Sequence, residues 1–161
     1  SAASDVYKRQ GGAAVSTQQM PSTTTRGNTD RPPGHPDSLI ADQYALGKAG
    51  EAAAVRWYEE MGCRLLGARV RCRAGELDAI MLDADGTVVF VEVKTRRSGE
   101  YGGAEAVTAK KLATMRRCAA EWLSRHPEAG PRTVRFDVVD VRFDGATFTA
   151  RRYEGVDDGA C

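Results

Sequence analysis

Two residues able to do chemistry stand at the end of the most hydrophobic segment of the chain, which reads VVFVEVKTR from Val88 to Arg96. The β-branched and aromatic residues at its start predict a buried strand. Because residues two apart in a strand share a face, Glu92 and Lys94 would lie side by side. A carboxylate can hold a divalent cation, and an ammonium group beside it can stabilise charge on a phosphate.

An acidic partner for Glu92 is predicted from the turn that precedes this strand. The tetrapeptide DADG indicates a hairpin between the segments ELDAIML and VVFVEVK. A three-residue loop with Gly86 in the left-handed position would pair Asp83 with Thr87. In that register Asp78 lies across from Glu92. A two- or four-residue loop would turn Asp78 to the opposite face, and the glycine favours the three-residue loop.

Two facing carboxylates need a compensating charge. In this register the β-carbons of Asp78 and Glu92 lie about 5 Å apart, and like charges directly opposite one another destabilise a sheet. Mg²⁺ or Mn²⁺ would offset the repulsion, because such a cation binds one or two carboxylates and keeps waters for substrate phosphates. The alternative is a strand end at the surface, where Glu76 and Lys94 form an ion pair that contributes little. Spacing alone leaves the two interpretations equal.

The surrounding pattern is typical of an α/β domain with the element order α-β-β-β-α-β-β. A helical stripe of apolar residues precedes three strands, and a second helix, capped by Thr108, precedes two more. The predicted elements are a helix over 42–62, strands over 64–73, 76–82 and 87–94, a helix over 109–125, and strands over 133–141 and 146–153.

The motifs GELD and FVEVKTR, together with GKAGE in the first helix, carry a resemblance to a known family. From about Gly47 to about Asp140 the chain resembles the YraN family, an uncharacterised bacterial group. That family is similar to Holliday-junction resolvases and to restriction-endonuclease-like nucleases in general. The resemblance therefore implies a restriction-endonuclease-like core with a central mixed sheet flanked by helices.

The resemblance also implies a catalytic set. Asp78, Glu92 and Lys94 correspond to the two acids and the lysine of the nuclease motif, and Glu51 corresponds to the additional acid of resolvase-like members. Leu77 departs from the motif, which usually has proline before its first acid. From its spacing alone, Glu51 lies at the edge of the helix's apolar stripe, where it could face the sheet or be a solvated glutamate.

Basic residues cluster around these motifs, although the net charge of the chain is only +1. Arginine and lysine contacts to phosphates give salt-dependent, sequence-independent affinity for nucleic acid. The alternating Arg69 and Arg71 could equally be the wet face of an edge strand, which deters aggregation. The residues predicted to bind nucleic acid are Arg73, Arg96, Arg97, Lys110 and Lys111.

The chain ends and the cysteines set further expectations. Residues 1–40, rich in Gly, Ser, Thr and Pro, predict a disordered tail whose first ten residues could be non-native. A single nuclease-like domain over 41–154 and a flexible tail over 155–161 would follow. Four cysteines without a C-x-x-C pair predict reduced thiols in a cytoplasmic protein. No apolar run approaches the roughly 18 residues of a membrane span, and no secretory signal pattern opens the chain.

These features together predict a metal-dependent nucleic-acid phosphodiesterase. It would be a resolvase-like endonuclease with Mg²⁺ or Mn²⁺ as cofactor, acting on branched or structured DNA. The alternative is a nucleic-acid-binding module that keeps the fold and has little or no turnover. Because resolvase-like proteins often cut two strands as dimers, the chain could act as a homodimer.

Overall fold

The computed structural model describes residues 14–19, 36–100, 107–129 and 133–156. These residues form a six-stranded sheet with a helix packed on each face. In chain order the elements are β1 (Ala14–Gln19), α1 (Pro36–Glu60), β2 (Arg64–Cys72), β3 (Gly75–Leu82), β4 (Val88–Arg97), α2 (Ala109–Arg125), a 3₁₀ helix (Pro127–Ala129), β5 (Val134–Phe143) and β6 (Phe148–Glu154).

The sheet is mixed, with the strand order β1-β6-β5-β4-β3-β2. Strands β4 and β5 run parallel, whereas the other neighbouring pairs of described strands run antiparallel. Parallel neighbours need a long crossover, and α2 lies within the connection between β4 and β5. The predicted fold class, a restriction-endonuclease-like α/β core with a mixed sheet flanked by helices, is confirmed.

Strand β4 separates two hydrophobic cores, because its side chains alternate between the faces of the sheet. Val89 and Val91 belong to the core that packs against α1. Val88 and Phe90 belong to the core that packs against α2. Glu92 follows Phe90 by two residues, so it lies on the α2 face at the point where the apolar part of the strand ends.

Helix α1 approaches the end of β4 very closely. A β-carbon at Gly50 would collide with the side chain of Thr95, so only glycine permits this approach. The contact fixes the position of the next residue, Glu51, relative to the sheet. The helix begins at Pro36 and not at residue 42 as predicted. Proline suits a first helical position because it lacks an N–H group that would have no partner there.

The tail prediction differs from the structure in one further respect. Strand β1 lies inside the segment 1–40 and pairs antiparallel with β6, from Ala14 opposite Glu154 to Gln19 opposite Thr149. The rest of that segment before Pro36 lies outside the described residues. At the other end, the N–H of Val156 donates to the Phe136 carbonyl at 2.9 Å, and residues 157–161 also lie outside the description.

The prediction of reduced thiols is wrong for two of the cysteines. Cys72 and Cys118 form a disulfide with their Cα atoms 5.4 Å apart. The bond joins the end of β2 to the buried face of α2. A separation of 46 residues gave no spacing motif that would have indicated it. Cys63 is free and buried, as expected, and Cys161 lies outside the described residues.

Candidate functional site

The hairpin that positions the two acids has the predicted register. The N–H of Asp83 donates to the carbonyl of Thr87 at 2.8 Å, and Gly86 has a φ of 89°. The ladder between β3 and β4 runs from this turn to the pair formed by Ala79 and Val91. The three-residue loop is therefore confirmed, and it points the next pair of residues toward one another.

The regular ladder ends before that next pair. Leu77 and Ile80 both pack in the α2 core although they are three residues apart, so the pleat of β3 is interrupted between them. Asp78 lies at this interruption, and its Oδ2 accepts the main-chain N–H of Val93 at 2.7 Å. The carboxylate of Asp78 thus replaces a main-chain carbonyl and is held against β4 beside Glu92.

The side chains of Asp78 and Glu92 lie close enough for their carboxyl groups to interact strongly. Lys111, in the first turn of α2, places its Nζ 2.8 Å from Oε2 of Glu92. The side chain of Glu92 is only 11% exposed, whereas that of Lys111 is 33% exposed. Two carboxyl groups therefore meet one ammonium group in a largely buried space.

Both acids hold a proton more tightly than usual. Burial, followed by repulsion from Asp78, raises the pKa of Glu92 to about 7, although Lys111 opposes the shift. Burial also raises the pKa of Asp78, against the effect of the Val93 N–H. Near neutral pH two neighbouring carboxyl groups with raised pKa values can share a proton. Such paired, perturbed acids are typical of functional sites.

Glu51 approaches the carboxyl pair from α1. Its side chain is 22% exposed, and its pKa is raised by burial and then by the charge of Asp78. Arg69 lies between Glu51 and Glu76. Its Nε is 3.9 Å from Oε2 of Glu51, and its Nη2 is 3.5 Å from Oε1 of Glu76. The structure thus brings the predicted additional acid close enough to Asp78 for their charges to interact.

Arg69 interrupts β2 at the same level as Asp78 interrupts β3. The β2–β3 register passes from Ala68 opposite Ala79 to Val70 opposite Leu77, and Arg69 itself is not paired. Its φ of 50° makes it the one non-glycine residue with positive φ among the described residues. The sheet is therefore locally open beside the carboxyl pair.

Lys94 lies on the α2 face of β4, two residues beyond Glu92, and is half-buried. The alternative prediction paired it with Glu76 at the surface. Glu76 instead contacts Arg69 at 3.5 Å and Arg71 at 3.4 Å, and no Glu76–Lys94 ion pair forms among the described residues. The ammonium group of Lys94 is thus not committed to the partner that would have made it a surface feature.

The predicted nucleic-acid-binding residues divide into inward and outward groups. Lys111 is turned inward onto Glu92, whereas its neighbour Lys110 is exposed. Arg97 is exposed and Arg96 is half-buried, and both lie on β4 beyond the acids. Lys111 thus reaches the carboxyl pair, whereas Arg96, Arg97 and Lys110 form a basic rim made of the end of β4 and the start of α2, with Arg97 on the α1 face of its strand.

Arg73 is not brought to this rim. Its main-chain N–H donates to Oε2 of Glu121 at 3.0 Å. Glu121 lies ten residues after Lys111 in α2, which is about 15 Å along the helix axis. The turn between β2 and β3 therefore meets α2 both at Glu121, beside the main chain of Arg73, and at Thr114, whose methyl carbon would lie 3.0 Å from a β-carbon at Gly75.

The carboxyl pair fits a divalent cation in part. Among the described residues no group of three or more His, Cys, Asp or Glu side chains could hold a metal ion. Mg²⁺ nevertheless often binds through one or two carboxylates, with waters and substrate phosphates as its other ligands. Asp78 and Glu92 supply two neighbouring carboxylates, and a cation would relieve both the burial of charge and the repulsion from Asp78 that raise the pKa of Glu92.

Tyr44 on α1 was overlooked by the sequence reasoning. Its ring is 57% exposed, with Lys48 Nζ at 4.7 Å and Arg69 Cζ at 5.6 Å from the ring centroid. A hydrogen bond with Lys48, aided by Arg69, lowers its pKa. Tyr44, Lys48 and Glu51 follow a spacing of four and three residues, which could have indicated one helix face. Nothing in the sequence indicated the contribution of Arg69.

Comparison with known proteins places the chain among relatives. Residues 50–141 match the family described as Uncharacterised protein family UPF0102. The chain belongs to this family. A UPF0102 protein of Corynebacterium efficiens is 47% identical over 125 residues, which cover 76% of this chain and 99% of the relative. The UPF0102 protein YraN of Salmonella arizonae is 49% identical over 109 residues, covering 67% and 78%. The resemblance to the YraN family is confirmed.

The UPF0102 match contains the acids and the lysines of the site and begins at Gly50, after Tyr44. A solved structure, Pyrococcus furiosus SfsA in complex with Ca²⁺, is 18% identical, with a TM-score of 0.29 over 72% of this chain and 63% of that chain. The fold assignment rests on strand order and not on this likeness. No helix among the described residues is long and apolar enough to cross a membrane.

Proposed function

We propose that this UPF0102 protein is a metal-dependent phosphodiesterase that cleaves DNA, with resolvase-like handling of branched or structured strands. The observation that carries the proposal is the close approach of two carboxyl groups: Asp78 is held against β4 by the N–H of Val93, beside Glu92, whose side chain is only 11% exposed. Placing two acids in contact inside a protein is unfavourable unless they are protonated, paired or bound to a cation. A cation bound between the two carboxylates would neutralise their charge and could in turn bind a phosphate.

Asp78 and Glu92 are the residues that would hold Mg²⁺ or Mn²⁺. When bound, the cation would supply Lewis-acid activation of a water and charge neutralisation at a phosphate. The hydrogen bond from Val93 to Asp78 fixes the position of one carboxylate without occupying its second oxygen. Lys111 now balances the charge of Glu92, and its partly exposed ammonium group is within reach of a phosphate entering from solvent.

Two other residues have roles that follow from their positions. Lys94 lies about 7 Å beyond Glu92 on the same strand face, so its ammonium group can stabilise negative charge that develops on a scissile phosphate. Glu51 has a pKa above its usual value because it is partly buried near Asp78. A carboxyl group of this kind can accept or release a proton closer to neutral pH than an exposed glutamate.

The exposed rim supports binding of a polyanion. Arg97 and Lys110 are exposed and Arg96 is half-buried, at the end of β4 and the start of α2, the two elements that supply Glu92 and Lys111. Contacts from these groups to phosphates would give affinity that depends on salt and not on base sequence. Cutting both strands of a branched DNA requires two sites, and a homodimer of this chain would provide them.

The Lys111–Glu92 contact also favours a second candidate function. Because an ammonium group already lies 2.8 Å from Glu92, the pair is partly neutralised without a metal. A protein that binds branched DNA on its basic rim, with little or no turnover, would be compatible with this contact. The two functions differ in whether the protein cleaves bound DNA when a metal is added.

Single-turnover cleavage tests the enzyme proposal. Labelled linear, single-stranded and four-way DNA would be mixed with excess protein and Mg²⁺ or Mn²⁺. We expect the wild type to cut and Lys94→Met to be slower by at least about 100-fold with DNA affinity nearly unchanged. Lys110→Met, which removes a neighbouring rim charge, should weaken binding and leave the saturated rate intact. Equal rates for Lys94→Met and the wild type would exclude the catalytic role of Lys94.

If the wild type cuts none of the three DNA forms with either metal, the enzyme proposal fails. Binding that persists without cleavage would then support the DNA-binding alternative.

A further inference from the structure

Two helical turns before Glu51 lies an aromatic side chain, Tyr44, that does not belong to either hydrophobic core. Tyr44 is 57% exposed, and among the described residues the other exposed large apolar side chain is Met61, at 36%. Lys48 and Arg69 both lie within 6 Å of the Tyr44 ring centroid. An exposed ring with cationic neighbours is the combination on which the bases and phosphates of a single strand bind.

Arg69 is held in an unfavourable conformation at this place. Its φ of 50° lies in the left-handed region, where an arginine has a conformational cost. That conformation directs the guanidinium toward Tyr44, Glu51 and Glu76. Its Nη1 atom is buried and has no hydrogen-bond partner among the described residues. The Arg69 side chain as a whole is 35% exposed, so a phosphate oxygen entering from solvent can accept hydrogen bonds from the rest of its guanidinium.

The ring and the acids lie along one side of α1. Tyr44 precedes Glu51 by seven residues, which is two turns and about 10 Å along the helix. The charge of Glu51 in turn interacts with Asp78. A nucleotide on Tyr44 would therefore be close to, and not at, a phosphate bound by the carboxyl pair.

We propose that Tyr44 and Arg69 form a nucleotide subsite, in which an unpaired base stacks on the Tyr44 ring and Arg69 binds the adjoining phosphate. This inference rests on the proposed function. Its substrate class would be strands with unpaired bases, either single-stranded or at a branch. Bases within a duplex are stacked on one another and do not present a free face to the ring.

Binding to base-bearing and abasic strands tests the stacking role of Tyr44. Fluorescence anisotropy in EDTA would compare a labelled single strand of about 12 nucleotides with an abasic strand of equal length and charge. We expect Tyr44→Ala to lose about tenfold in affinity for the base-bearing strand and less than about twofold for the abasic strand. Tyr44→Phe should retain the difference, and Met61→Ala serves as the control for loss of an exposed apolar side chain.

A change of equal size on both strands, or no change on either, would overturn the stacking role. Equal weakening of all DNA forms would make Tyr44 a general contact, and failure of the wild type to bind any strand would exclude the subsite.

Two arginines on β2 give a matched test of the phosphate contact. Arg69→Asn removes the guanidinium while asparagine tolerates a positive φ, and Arg71→Asn removes an arginine whose side chain is 89% exposed. We expect Arg69→Asn to weaken binding of base-bearing and abasic strands alike, by about tenfold. Arg71→Asn should have a clearly smaller effect. Equal losses in the two variants would reject a specific role for Arg69.

These binding measurements separate the subsite from the proposed catalytic function. Base-dependent binding through Tyr44 in a protein that never cleaves would support the subsite and contradict the enzyme. If the protein cleaves DNA with a metal, but Tyr44→Ala changes neither binding nor the preference for single strands over duplex, the enzyme would be supported and the subsite contradicted.

Discussion

Two buried acidic clusters lie on opposite faces of the sheet, one position apart in register, and their environments differ sharply. Asp137 on β5 is the Cα partner of Val91, whereas Glu92 is the next residue along β4. Asp137 is fully buried and accepts hydrogen bonds from Tyr58 at 2.8 Å, from Gly155 at 3.1 Å and from both sides of the Arg135 guanidinium at 3.0 and 3.2 Å.

The two carboxyl groups of Asp78 and Glu92 together have fewer hydrogen-bond and charge partners than the single carboxyl group of Asp137. Asp78 receives the Val93 N–H, and Glu92 receives the ammonium group of Lys111. Full satisfaction is what a buried charge needs when its role is structural. The difference indicates that the Asp137 cluster stabilises the fold by itself, whereas the pair formed by Asp78 and Glu92 costs stability, as expected if it is the cation site that we propose.

The largest effect that would test this comparison is loss of the Asp137 charge. Asp137→Asn leaves the buried part of Arg135 without its main partner and should lower the free energy of unfolding by about 3 kcal/mol. Asp83 and Glu154, each 3.2 Å from Arg135, keep the loss from being larger. Urea unfolding at neutral pH without metal measures it. Asp78→Asn is the matched variant, and a loss as large as that of Asp137→Asn would contradict the distinction between the clusters.

The second prediction concerns the pH dependence of the metal-free protein. Because the pKa of Glu92 is raised to about 7 in the folded state, the folded protein holds a proton that the unfolded chain releases at lower pH. Stability from this group is therefore full below about pH 4.5 and is lost as pH rises to about 7. Glu92→Gln should remove that loss and be more stable than wild type at pH 8 by on the order of 2 kcal/mol.

Unfolding curves across this pH range, compared between wild type and Glu92→Gln, provide the measurement. If the two proteins lose stability in parallel from pH 5 to pH 8, the Glu92 carboxyl is not the destabilising group. Asp78 acts in the same direction, because its pKa is also raised, so Asp78→Asn should flatten the curve as well.

The sequence predicted the contacts within the β3–β4 hairpin better than the contacts between elements far apart in the chain. Loop length and Gly86 determine the register of the β3–β4 hairpin, and counting from that turn correctly brought Asp78 toward Glu92. The end of that ladder at Ala79 was not predictable, and neither was the left-handed conformation of Arg69 on the neighbouring strand, because the residue types there do not indicate either. Spacing is a good guide within one hairpin and a poor one where the backbone departs from regularity.

Contacts that depend on how helices lie over the sheet were also missed. Lys111 was predicted to bind nucleic acid, but the position of α2 turns it onto Glu92. The same helix brings Cys118 to Cys72, a contact between residues far apart in the chain. Strand β1 mixes two good strand formers, Val15 and Thr17, with Ala, Ser and Gln, so its own residues gave only a weak strand signal. Its pairing with β6 is a contact between residues far apart in the chain.

A smaller effect is expected from metal binding. If the carboxyl pair is available to a cation, Mg²⁺ or Mn²⁺ should raise the melting temperature by mass action, and Asp78→Asn should abolish the shift. Lys111→Met should bind the metal more tightly, by up to about tenfold, because the cation no longer competes with an ammonium group. Thermal unfolding across a metal titration measures both. Absence of any shift in the wild type at millimolar metal would remove the cation site from the proposal.

The smallest predicted effect distinguishes basic residues near the carboxyl pair from those elsewhere. Arg135 is committed to three acids around Asp137, whereas Arg97 is exposed beyond Glu92 on the same strand. If Arg97 contacts a phosphate, Arg97→Ala should lower the salt dependence of DNA binding by about one unit of slope, with similar loss for all sequences. Arg64, exposed and paired with Leu82 at the other end of the sheet, provides the control. Arg64→Ala should leave the slope unchanged, and equal slopes for the two variants would mean that DNA does not lie across the rim of the acidic site.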